Sequence, residues 1–360
     1  MKNIKQKNER IYTYTSYITE RYNYISRKNA FTAKNQKEFY LWRNKLRKRL
    51  AKLSGIDTMQ RCQLNAVCDD VELLVGYERQ HWLIQTEPGI IMTMYVLVPS
   101  DMCENEKRTT IIAPHGHESG GKLAVAGCRE FSEQLSEKID FYNYDYGVQF
   151  VREGYVVYCP DARGFGERRE PECHREEREL HGSCDKLSKR AIPLGQTVVG
   201  MWTWDLMRLV DYITTLNHYN GSIVCAGLSG GGLQTLWLAA MDDRVDCAVI
   251  SGYFYGALQS LIHLENCACN YIPHLFEHVD ISDIGAMIAP RPMVIETGTQ
   301  DYLNGSGGMS NVFPQVETAQ KAYSLFDKES ELLHDVFEGS HRWNGIKAIP
   351  FVKKRFPAKK

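Results

Sequence analysis

Ile223-Val224-Cys225-Ala226-Gly227-Leu228-Ser229-Gly230-Gly231-Gly232-Leu233-Gln234-Thr235-Leu236-Trp237 joins a β-branched run to a glycine-lined turn and then to an amphipathic stretch. Gly227-Leu228-Ser229-Gly230-Gly231 fits the G-x-S-x-G elbow, in which a strained strand-to-helix turn lifts a serine hydroxyl to where a substrate can reach it. A serine held at positive φ needs neighbours without a Cβ two residues to either side, because strand and helix pass close by. Gly227 and Gly231 meet that need. Leu233, Leu236, Trp237 and Ala240 carry helical spacing, so a helix is expected to begin just after Ser229 and to aim its first-turn N–H groups at a developing anion. A phosphate loop is excluded because no Gly-Lys-Ser/Thr ending follows, and a dinucleotide turn because the spacing is not G-x-G-x-x-G.

At 360 residues the chain has room for one large α/β domain with appendages or for two modest domains, and its apolar content is ample for a buried core. No apolar run is long enough to span a bilayer, and the polar N-terminus lacks the apolar stretch of a secretory signal. Eleven cysteines lie scattered, several inside expected strands, without a disulfide framework. A reducing, cytoplasmic setting is therefore expected. Residues 1–53 hold fifteen Lys/Arg against three Asp/Glu, leaving an acidic remainder. Such an arm is expected to dock on its own acidic body rather than on nucleic acid.

Residues 1–60 read as a basic, partly helical extension, with Asn35 and Glu38 at capping-box spacing and Phe39, Trp42, Leu46, Leu50 and Leu53 on one helical stripe. Residues 61–360 read as the catalytic domain. Two or three antiparallel strands are expected over 71–77, 81–86 and 90–98. Strands alternating with helices then follow at 109–113, 155–159, 222–226, 245–250, 292–296 and 332–337, with helices over 196–216 and 316–326. The fold class is α/β, with a mostly parallel, eight-stranded sheet covered by helices on both faces. Insertions at about 161–193 and 252–280 leave the carboxyl ends of strands, the rim where open α/β sheets bind ligands.

A serine hydroxyl needs an imidazole to take its proton and a carboxylate to orient that imidazole. Downstream of Ser229, Asp301 stands in the loop past one expected strand, and His341 in the loop past the last, in the order Ser, Asp, His. Glu296 competes with Asp301 as the acid, and His334 is expected to be a packed or edge histidine. The oxyanion donors are expected to be the backbone N–H groups of Gly230 and of His117, which lies in Pro114-His115-Gly116-His117-Glu118. A metal at His115-x-His117 with Glu118 lacks a further ligand set. The Cys173-His174 and His181-x-x-Cys184 spacing matches no common zinc finger, so no metal or cofactor is expected. Asp161 and Arg163 are expected to brace their turn as an ion pair. Tyr253, Phe254, Tyr255 and Tyr271 either wall the acyl or alcohol pocket or pack a lid.

With Ser229, Asp301 and His341 in order, His115-Gly116, and Asp161-x-Arg163-Gly164-x-Gly166, the chain resembles an α/β-hydrolase. It is similar to the branch of acetyl xylan esterase-like proteins, dienelactone hydrolase-like proteins and prolyl oligopeptidase catalytic domains. Arg163-Gly164-Phe165-Gly166 and Gly227-Leu228-Ser229-Gly230-Gly231 stand where acetyl xylan esterases and cephalosporin C deacetylases typically read R-G-Q-G and G-x-S-Q-G. Dienelactone hydrolases proper use a cysteine, and prolyl oligopeptidases normally carry a large propeller that the N-terminal residues here are too few to build. The resemblance implies a serine hydrolase of small carboxylic esters, with a small serine peptidase and a non-catalytic binding module as the rival readings.

Overall fold

The computed structural model describes residues 14–173 and 180–359, with only the backbone for Thr15 and Ser16. The first thirteen residues of the basic extension, and His174, lie outside the described residues. One sheet runs through the molecule in the order β1-β2-β3-β5-β4-β6-β7-β8-β9. Its strands are β1 (Val67–Leu74), β2 (Tyr77–Glu87), β3 (Ile90–Pro99), β4 (Arg108–Ile112), β5 (Val156–Pro160), β6 (Tyr219–Leu228), β7 (Cys247–Ser251), β8 (Met293–Gly298) and β9 (Leu332–Phe337). The first three strands and the β3–β5 junction pair antiparallel, and every other pairing is parallel.

The sheet has nine strands where eight were expected. The difference lies at the β1 edge, where most side chains face solvent and the burial pattern carries no period of two. That strand is held by its ladder to β2, and the turn at Val75-Gly76, with Gly76 at φ 87°, falls inside the stretch 71–77 expected to be a single strand.

The parallel strands show why both faces are buried. In β6, Ile223 and Cys225 join one core cluster while Val224, Ala226 and Leu228 join the other. The same split recurs in β7, with Ala248 and Ile250 against Cys247 and Val249. Alternate side chains thus enter two separate cores, which is what turns these strands into near-continuous apolar runs. Helices Val198–Ile213 and Gly230–Met241 cover one face. Tyr146–Arg152 and Ala348–Arg355 cover the other.

The basic extension lies on the body. Helix Gln36–Ser54 starts at Asn35, whose side chain accepts from Glu38 N–H, and buries Phe39, Leu46 and Leu50. Arg27 pairs with Asp283 and Arg47 with Asp243, so the arm's charge is answered by acidic residues of the same chain. No helix among the described residues is long and apolar enough to cross a membrane.

Candidate functional site

Ser229 sits at φ 59°, ψ −118° between β6 and the helix Gly230–Met241. A non-glycine residue in that region is strained and persists only where its surroundings over-determine it. Those surroundings are visible. A Cβ on Gly227 would meet the Gly231 backbone at 2.5 Å, and one on Gly231 would meet Pro114 O at 2.1 Å. Strand, helix and the loop after β4 therefore close on one another only because both positions are glycine. The Ser229 N–H donates to Ser251 O at the end of β7, and its carbonyl accepts Leu233 N–H to open the helix.

His341 Nδ1 lies 2.7 Å from Asp301 Oδ2, with both residues buried. The other Asp301 oxygen accepts Leu303 N–H at 2.8 Å, which fixes the carboxylate plane. The imidazole lies over Gly252, where a Cβ would be 2.8 Å from His341 Cε1 and 3.2 Å from Leu228 Cδ1. Gly252 follows Ser251, whose carbonyl receives the Ser229 N–H, which links the residue under the ring to the elbow. Tyr142 and Tyr302 flank the ring edge-on.

Glu296, the competing acid, is fully buried and accepts N–H groups from Gly345 and Asn344. It anchors the loop beyond His341 and does not pair with the ring. Burial raises its pKa to about 7. His334 is held by Thr297 Oγ1 on the neighbouring strand, at 3.1 Å from its Nε2.

The loop after β4 is pinned at each residue. Tyr146 donates to Pro114 O, Gln234 to His115 O, and Tyr144 to His117 O. His115 Nε2 accepts Ala162 N–H at 3.1 Å while its Nδ1 lies 2.8 Å from Gly116 O, so both ring nitrogens serve the backbone. Burial depresses its pKa to about 4, keeping it neutral. That leaves no lone pair for a metal shared with His117 and Glu118, whose carboxylate is engaged by Lys138. Gly116 abuts the elbow, with its Cβ position 3.2 Å from Gly230 N, and the His117 ring lies against Gly230.

A family model described as Abhydrolase family matches residues 10–304. The chain belongs to the Abhydrolase family. Its fold is that of an α/β-hydrolase. The chain is 29% identical over 194 residues to a protein of Bacillus subtilis (strain 168) named "Putative hydrolase YtaP", covering 51% of this chain and 60% of that one. Among solved structures, a "putative acetyl xylan esterase" from Bacteroides fragilis NCTC 9343 is similar with a TM-score of 0.75 at 19% identity, covering 92% of this chain and 84% of that one. A glucuronoyl esterase from Solibacter usitatus aligns with a TM-score of 0.63 at 13% identity, covering 91% and 95%.

In this Abhydrolase chain the expected Asp161–Arg163 pair does not form. Asp161 is fully buried against Lys122, at 2.6 Å, and accepts from Thr93. Arg163 instead grips Asp205 through two nitrogens and also reaches Glu87. The Asp161 carboxylate is taken up by Lys122 and Thr93, and the Arg163 guanidinium by Asp205 and Glu87, so each braces a different neighbour.

The pocket candidates separate. Phe254 packs against Gly285 in the core, and Tyr253 donates to Asn270 Oδ1 within the same insertion. The Tyr271 hydroxyl donates to Leu261 O. The Tyr255 hydroxyl is buried with no protein partner among the described residues.

Beside the elbow stands a group that spacing along the chain did not disclose. The ligand-type atoms of His117, Cys184, Cys267 and Cys269 all lie within 4.8 Å of one another. Cys173 and His181 are not part of it. The signal that finds it is position: each member follows the carboxyl end of a strand, His117 after β4, Cys184 after β5, and Cys267 and Cys269 after β7.

Proposed function

We propose that the chain hydrolyses carboxylic esters of small acyl groups through an acyl-enzyme on Ser229. The observation that carries this is the serine at φ 59° in a turn that only glycines at 227 and 231 allow, with a buried His341–Asp301 couple whose ring lies over Gly252, next to the Ser251 carbonyl that accepts the Ser229 N–H. Strain of that kind at a polar side chain, beside an oriented imidazole, is hard to account for by packing alone.

Because Nδ1 of His341 faces Asp301, Nε2 is the nitrogen that serves the hydroxyl. It takes the Ser229 proton as Oγ bonds the ester carbon, and Asp301 stabilises the imidazolium. The carbonyl oxygen becomes an oxyanion facing the N–H of Gly230, at the helix start, and that of His117. Collapse breaks the bond to the alcohol oxygen, which leaves with the proton from His341. Water then repeats the sequence on the acyl-enzyme, releasing the acid and restoring Ser229. Relatives whose names are acetyl xylan esterase and glucuronoyl esterase support an ester as the substrate, since both names describe ester cleavage.

The test is turnover of p-nitrophenyl acetate, butyrate and longer esters beside aminoacyl anilides and acetylated sugars. Ester turnover that falls with acyl length and vanishes in Ser229→Ala is expected. Amide turnover of comparable efficiency would replace the reading with a peptidase.

A further inference from the structure

Cys184 and the Cys267-Ala268-Cys269 pair lie in the two insertions that interrupt the strand–helix alternation, and the hydrolytic machinery uses none of their thiols. We propose that Nε2 of His117 and the thiolates of Cys184, Cys267 and Cys269 form a closed tetrahedral site for a zinc ion, tying the loop after β4 to both insertions.

The geometry fits. Zinc–thiolate bonds of about 2.3 Å and zinc–imidazole bonds of about 2.0–2.1 Å at tetrahedral angles put neighbouring donors roughly 3.5–3.8 Å apart. Here the four donors lie within 4.8 Å of one another, and Cys269 Sγ is 3.5 Å from His117 Nε2. Closing the set on an ion needs a contraction of about 1 Å at most.

The chemistry of the donors selects the metal. Three sulfurs and one imidazole suit zinc and exclude magnesium or calcium, which take oxygen. All four positions are supplied by protein, so no place is left for a reactive water and the ion's work is structural. A supporting hydrogen bond is already in place: Asn270 Nδ2 donates to Cys269 Sγ, while Asn270 Oδ1 accepts the Tyr253 hydroxyl. Donors of this kind orient a thiolate ligand and offset its charge. Cys184 and Cys269 are buried, which shields the thiolates from oxidants. All eleven cysteines are free thiols, so no disulfide competes for these sulfurs.

The site joins the loop after β4, the start of the helix Cys184–Ala191 and the turn around Ala268–Asn270, three segments far apart along the chain. The His117 ring also lies against Gly230, so an ion on its far nitrogen would hold the loop against the residue that follows the elbow serine. This consequence for activity rests on the esterase reading, whereas the metal content does not.

The experiment measures metal in full-length protein purified under reducing conditions without chelator. About one zinc per chain is expected. Cys184→Ser and Cys269→Ser should lose it, and Cys103→Ser, at an exposed cysteine outside the set, should keep it. Because a misfolded variant would also lose the ion, wild-type protein is stripped and titrated with Co(II). A tetrahedral thiolate site gives near-ultraviolet thiolate charge-transfer and intense visible bands. Stripping should lower ester kcat/KM by up to about 10²-fold, as loss of one oxyanion donor does, with recovery on zinc return. Zinc well below one per chain, together with a Co(II) titration lacking thiolate bands, overturns the site. Zinc retained in a protein whose Ser229→Ala variant still hydrolyses esters would keep the site and discard the nucleophile instead.

Discussion

Gly231→Ala sets two effects of opposite sign against each other. Gly231 lies in the first turn of the helix Gly230–Met241, and helix propensity alone favours alanine by up to about 1 kcal/mol. Against this, the new Cβ would stand 2.1 Å from Pro114 O and 3.1 Å from the Tyr146 hydroxyl. An ordinary carbon–oxygen contact needs about 3.3 Å, so the loop must retreat by roughly 1 Å. The main obstacle is a backbone carbonyl, so no rotamer change relieves it. Overpacking costs about 1–3 kcal/mol, and weakening the Tyr146 bond to Pro114 O adds about 1 kcal/mol. Clash wins, with net destabilisation of about 1–3 kcal/mol. The same retreat carries His117 away from the elbow, and a misplacement of about 1 Å at a reacting centre costs about 10²-fold in rate. Urea unfolding and p-nitrophenyl acetate kinetics read the two effects together. A variant as stable as wild type, or more so, with unchanged kcat/KM would refute the close approach of loop and helix on which the site depends.

Other outcomes follow from the same contacts. Asp301→Asn should lower kcat by about 10⁴ with little change in KM, because the amide holds the imidazole in the wrong tautomer; steady-state kinetics on a short ester checks this. Glu296 has a folded-state pKa of about 7 against an ordinary 4.5, so the native state holds an extra proton between those values and its contribution to stability is lost as pH rises through them. Urea unfolding at about pH 5 and about pH 8 should show wild type losing more stability than Glu296→Gln over that interval, by about 3 kcal/mol at most. Lys122→Met leaves Asp161 buried without its cation and should destabilise by about 3–5 kcal/mol, with much of the loss restored by adding Asp161→Asn; a double-mutant cycle by chemical denaturation measures it.

The sheet was legible where burial wrote itself into the sequence. Strands such as Cys247–Ser251 and Met293–Gly298, buried throughout, read as apolar runs within two residues of their ends. The edge strand Val67–Leu74 was misplaced because its side chains meet water and only its ladder defines it. Helix Met309–Ser324 begins seven residues before the expected 316 because Pro314, inside it, reads as a breaker.

The His341–Asp301 couple was legible because loop position after successive strands is a topological property that one chain displays. Pairings that depend on which way a turn faces were not, as Asp161 with Lys122 and Arg163 with Asp205 show. Least legible was the convergence of Cys184 with Cys267 and Cys269, whose sequence spacing reflects the path of two insertions rather than the geometry of a ligand set.

The central claim is that Ser229 is the nucleophile, and covalent capture tests it most directly. Protein treated with a fluorophosphonate and analysed by intact and peptide mass spectrometry should gain one adduct, on Ser229, with labelling abolished in Ser229→Ala and strongly slowed in His341→Ala. No adduct on folded wild-type protein, or equal labelling of Ser229→Ala, would contradict it.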